Sequence, residues 1–132
     1  MAIFQSVKNL MGLGDGATEA SASFSVIALG TANPNVVKAS PGVLVSIHAI
    51  NVNAAIRYLK LYDTKTLPVA GNGVPVRRYG IPGATTGAGF VIAPTLPMRF
   101  SAGIAFTMTT GIADNDTGAL TANDVLLTLE YA

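Results

Sequence analysis

The sequence predicts an all-β domain, a sandwich or a barrel, and three observations carry that prediction. From Ser21 onward the chain runs in short β-branched and aromatic segments separated by Gly, Pro and Asn clusters, the spacing of a multi-stranded antiparallel fold. Val43 to Ile50 and Val125 to Tyr131 alternate with period two, which sends successive side chains to opposite faces of a sheet. Helical spacing is confined to residues 2–11. A chain of 132 residues is one domain by size, here divided into an arm over 1–16 and a β-domain over 17–132. With no cysteine, packing and strand pairing must hold it together.

In chain order, Ile3, Phe4, Val7 and Leu10 belong to the arm, where Ile3, Val7 and Leu10 share one helical face before Gly12, Gly14 and Gly16 stop it. A helix this short needs an apolar surface to lie on, its own core or a neighbour. Ser21 to Leu29 is the first strand, and the Asn33-Pro34 turn follows. Val36 to Ala39 is a short second strand. Ser40-Pro41-Gly42 turns into the third strand, which places Val43, Val45, Ile47 and Ala49 on one face and Leu44, Ser46, His48 and Ile50 on the other. Ile56 to Tyr62 returns with Arg57, Leu59 and Leu61 on one side and Tyr58, Lys60 and Tyr62 on the other. Gly71-Asn72-Gly73 supplies a reversal before Val74 to Ile81. Beyond a loop over Thr85 to Gly89, strands follow at Phe90 to Ala93, Met98 to Ser101 and Ile104 to Thr109, with Pro94 and Pro97 keeping Thr95-Leu96 out of any central strand. An acidic loop, Asp114 to Gly118, precedes the last strand, Val125 to Tyr131. The expectation is about eight or nine strands.

Only 11% of the residues are charged and half are hydrophobic, whereas a soluble domain carries roughly a quarter charged residues, so part of this surface is expected to be covered. Seven of the eight basic residues lie between Lys38 and Arg99, with Asp63 the one acid among them, and both flanking ends are acidic. Copies of the chain could therefore present complementary patches. A net charge of +1 argues against a nucleic-acid partner. The charge-free stretches 39–56 and 79–98 are interrupted by proline and polar residues or by prolines and glycines, so no membrane span is expected, and Lys8 and Glu19 do not fit a secretory leader. Synthesis in the cytoplasm is the expectation.

The sequence offers few groups for chemistry. His48 is the single histidine, and Ser46, two residues away on the same strand, sits roughly 6.5–7 Å distant, beyond direct hydrogen-bond reach. A hydrogen-bonded strand histidine is the simpler reading, and no catalytic site is expected. Asp114 and Asp116 have the spacing of calcium ligands, but Gly118 arrives one residue early for a hand-type loop and Val125 stands where its glutamate belongs. Turn capping by these side chains is favoured, and no metal or cofactor is expected. Tyr58 and Tyr62 could offer a sugar platform on one strand face, although paired packing is the commoner use of strand tyrosines. The Gly71–Gly73 and Gly87–Gly89 loops lack the residues and setting of a phosphate loop, and no small-molecule substrate is expected.

The blocks KASPGVLVSIHAINVNAAIRYLKLYD (38–63) and GIADNDTGALTANDVLLTLEY (111–131) resemble small virion structural proteins of tailed bacteriophages, especially capsid decoration or cement proteins. The resemblance implies a β-sandwich or jelly-roll-like body attached to a protein shell. It leads to the expectation of a homo-oligomer, a trimer, that binds the outside of a phage capsid and bridges major capsid protein subunits. The expected location is the virion surface, and no enzymatic activity is expected. Ile3, Phe4, Val7, Leu10, Arg57, Arg77, Arg78 and Arg99 are the candidate interface residues, the arginines because their planar fork pairs with carboxylates. The alternative is a glycan- or receptor-binding module of a head fibre or tail.

Overall fold

Residues 20–132 are described by a computed structural model. The arm over 1–16, with Ile3, Phe4, Val7 and Leu10, lies outside the described residues. Within them the chain forms nine strands: β1 (Ala22–Ile27), β2 (Asn35–Lys38), β3 (Gly42–Asn51), β4 (Arg57–Asp63), β5 (Arg77–Ile81), β6 (Ala88–Ile92), β7 (Met98–Phe100), β8 (Ile104–Thr109) and β9 (Val125–Tyr131). All pair antiparallel. One sheet has the order β1-β9-β3-β6, with β7 also on β3, and the other has the order β2-β8-β4-β5. Apart from β4–β5 and β6–β7, consecutive strands lie in different sheets, and the two orders together are those of a jelly roll.

β6 and β7 are two pieces of one edge strand. Ala88 to Ile92 pairs with the second half of β3, Met98 to Phe100 pairs with its first half, and residues 93–97 loop out between them. Pro94 and Pro97 bracket that excursion, as residues with no backbone N–H to give a ladder must. Leu96 at its tip is 79% exposed.

Side chains from both sheets meet in one core. Leu44, Ile47, Phe100, Leu127 and Leu129 come from one layer and Leu59, Leu61, Ile81, Phe106 and Met108 from the other. Two aromatic pairs cross between layers. Phe24 on β1 meets Phe106 on β8 edge-on, and Tyr79 on β5 tilts against Phe90 on β6, each with ring centroids 5.9 Å apart.

Three local expectations are corrected. Strict alternation in β3 would bury Val45, but the register against β9 shifts between Leu44 and Ser46, so Leu44 enters the core ahead of Ile47 and Ala49. β5 begins at Arg77, because Val74 to Val76 belong to the preceding loop. β6 begins at Ala88, inside the segment expected to be a loop.

Candidate functional site

β4 and β8 are buried on both faces, which a simple sandwich with one wet face does not require. Leu59, Leu61, Phe106 and Met108 fill the core, while Lys60, Tyr62, Thr107 and Thr109 point the other way and are buried too. Their cover consists of two loops: residues 64–76 between β4 and β5, and residues 110–119 after β8. The first is anchored by Pro68 and Pro75, both buried, and by a bond from Val76 N to Leu61 O. The two loops touch at Gly71, whose φ of +85° suits glycine and where a Cβ would come within 2.7 Å of Thr117 Cγ2.

The second loop is laced internally. Asp116 Oδ1 accepts from Gly111 N at 3.1 Å and Gly118 N at 2.9 Å, Asp116 N donates to Ala113 O, and Thr110 N donates to Gly118 O. This is the turn capping expected of the acidic loop. Arg78 on β5 grips Asp114 with two hydrogen bonds, Nε to Oδ1 and Nη2 to Oδ2 at 2.7 Å. That contact holds the Asp114 carboxyl below the usual carboxylate range and the guanidinium above its own. Beneath the loop Lys60, 1% exposed, donates from Nζ to Ala113 O. Burial pulls its ammonium below the usual lysine range, against the attraction of Asp116 and Asp114. Beside it on the sheet, Thr107 Oγ1 and Tyr62 Oη are buried with no partner among the described residues.

Stitched to the sheet in this way, the two loops carry large apolar side chains into solvent. Leu67, Val69, Val74 and Val76 from the first loop and Ile112 from the second are all more than half exposed, Val74 at 73%. Arg77 lies next to them at the start of β5. Loops on a folded protein are ordinarily polar and mobile; these are apolar at the tips and braced at the base.

The four candidate arginines do not lie together. Arg77 and Arg78 are exposed on β5, and Arg99 is exposed on β7 at the opposite sheet's edge. Arg57 is turned inward, 8% exposed, with Nε and Nη2 bonded to Asp124 Oδ2 at 3.1 and 2.9 Å, so its guanidinium is committed within the chain. Asp124 also accepts from Asn53 Nδ2 and from Thr121 N, joining the β3–β4 and β8–β9 connections. Two opposite-charge pairs form within the chain, Arg57–Asp124 and Arg78–Asp114, while Arg77 and Arg99 enter no ion pair among the described residues.

Other expected sites are dispersed. His48 is exposed on the outer face of the first sheet, beside Thr128 and Val91. It is not the hydrogen-bonded histidine expected, since no side-chain bond holds it among the described residues. Tyr62 is 7% exposed, so Tyr58 and Tyr62 do not form an open platform. Asp114 and Asp116 are engaged by Arg78 and by backbone amides, and no group of three or more metal-binding side chains occurs among the described residues. No helix there is long and apolar enough to cross a membrane.

Sequence reasoning missed the exposed apolar loop residues, Lys60 and Asp124. For Lys60 and Asp124 a signal existed: Lys60 lies on a strand with apolar residues on both faces, and Asp124 sits directly before the buried end of β9. For Leu67, Val69, Val74 and Val76 only their density around two prolines and Gly71-Asn72-Gly73 was visible. Comparison with known proteins finds no matching family model, no matching curated protein and no matching solved structure.

Proposed function

We propose that this chain is a structural virion protein of a tailed bacteriophage, which binds the outside of the capsid as a homo-oligomer, a trimer, and bridges major capsid protein subunits. The observation that carries the proposal is the pair of braced loops with Leu67, Val69, Val74, Val76 and Ile112 in solvent. An apolar surface on a rigid base binds another protein without first having to be ordered, so most of the hydrophobic gain is kept. Arg77 beside it offers a fork for carboxylates of a partner. The resemblance of residues 38–63 and 111–131 to capsid decoration proteins supplies the kind of partner. Many copies on a repetitive shell would stiffen it even with weak individual contacts. The role is one of attachment and needs no turnover.

The test is co-sedimentation of the purified chain with phage heads that lack it, together with light scattering of the chain alone. Saturable binding and a trimer mass are expected. A chain that stays monomeric and never pellets with the heads, at any concentration, would refute the reading.

A further inference from the structure

We propose that Asn72 is a site of spontaneous covalent ageing, converting through a cyclic imide to a mixture of aspartate and isoaspartate. The chemistry is intramolecular. The Gly73 backbone nitrogen, on losing its proton to hydroxide, attacks Asn72 Cγ; a C–N bond forms and ammonia leaves. Water then opens the five-membered ring at either carbonyl, giving the normal or the isomerised acid. No oxidant, metal or enzyme is required.

Three features are needed together: a side-chain amide free to turn, a following N–H free of other bonds, and no side chain on the following residue to hinder the attack. Asn72 has all three. It is the one asparagine in the sequence followed by glycine. It is exposed, and no hydrogen bond engages its side chain among the described residues. Its own backbone N donates to Val69 O at 3.0 Å, closing the turn that precedes it, whereas the next backbone bond of the loop comes only at Val76 N. The Asn72–Gly73 peptide is therefore held on one side and loose on the other. Around Gly73 nothing lies within 4 Å of where a Cβ would stand, so the approach is open.

The remaining described asparagines each fail one requirement. Asn33, Asn35, Asn51 and Asn53 have their amide nitrogens bonded to Leu29 O, Asn33 O, Ala55 O and Asp124 Oδ1. Asn115 and Asn123 are followed by Asp116 and Asp124, whose N–H groups donate to Ala113 O and Thr121 O. Backbone groups already bonded in this way are unavailable as nucleophiles. Conversion at Asn72 places a new carboxylate between Val69 and Val74, among the exposed apolar side chains. The isomerised form also lengthens the backbone there by one carbon.

Incubating the intact folded chain at mildly alkaline pH, followed by peptide mapping with isoaspartate detection, tests this without any partner. The peptide containing Asn72 should convert first, faster as pH rises, while those containing Asn53, Asn115 and Asn123 stay amidated. Asn72→Gln should remove the product and leave the melting temperature unchanged. Asn72 remaining an amide, or converting no faster than Asn115 and Asn123 in the same sample, overturns the proposal. Because the readout is chemical, it stands or falls separately from capsid binding.

Discussion

Arg57 and Asp124 lie 67 residues apart in sequence and 2.9 Å apart in space. Both are buried, so removing one partner strands the other as an uncompensated charge. Arg57→Ala or Asp124→Ala is therefore expected to cost about 3–5 kcal/mol, read as a fall in the denaturant midpoint at unchanged slope. The double replacement Arg57→Met with Asp124→Leu should recover much of that loss, and equal losses in single and double variants would sink the account. Thr107 presents the opposite case. Its hydroxyl is buried beside Lys60 with no partner among the described residues, so Thr107→Val exchanges an unsatisfied oxygen for a methyl of the same shape. Stability should stay level or rise by about 1–2 kcal/mol. A clear drop in melting temperature would mean the hydroxyl is bonded after all.

Two acids organise connections between elements. Asp63, at the end of β4, accepts from Ser101 N and Oγ, Ala102 N and Gly103 N, so it caps the turn between β7 and β8. These bonds, chiefly the one from Ala102, hold its carboxyl down at about 2, against 3.8 for a free aspartate. Since the folded value is the lower one, the contribution is complete above about pH 4 and disappears as pH falls toward 2. Being near the surface, it amounts to on the order of 1 kcal/mol after solvent screening. Asp63→Asn should flatten that part of the acid unfolding profile; an unchanged profile would contradict the role. Asp116 braces the 110–119 loop by accepting from Gly111 and Gly118. Asp116→Ala is expected to raise hydrogen exchange at Gly111, Gly118 and Thr110 while β4 and β9 stay protected. Exchange unaltered in that loop would show that Lys60 and Arg78 suffice to hold it.

At the scale of the molecule, the jelly roll hides its core between sheets and then covers the outer face of β4 and β8 with loops, while large apolar side chains stay exposed at those loop tips and, at Ile27, Val91 and Leu126, on strands of the other sheet. On the proposed function, Val74→Asp, at a residue 73% exposed, should leave the melting temperature unchanged and weaken the proposed binding to phage heads by tenfold or more, about 1.4 kcal/mol. Full binding by that variant would move the docking surface elsewhere, to Arg99 and the β6–β7 edge or to the arm.

All nine strands were legible in the sequence, because strand period and turn residues are local signals: Val125 to Tyr131 alternates, and Pro94 and Pro97 mark their own break. For Arg57 the face it shares with Leu59 and Leu61 was a signal of its inward turn, yet the arginine was expected at an interface. What the tertiary structure alone decided was pairing at a distance. The sequence sorts basic and acidic residues into separate blocks, and only the fold brings Arg57 to Asp124 and Arg78 to Asp114. It also decides that two loops close over β4 and β8 and leave Leu67, Val69, Val74, Val76 and Ile112 outside. The physical reason is range: backbone preference and alternation act over a few residues, whereas burial and ion pairing depend on which distant segments the sheet order makes neighbours.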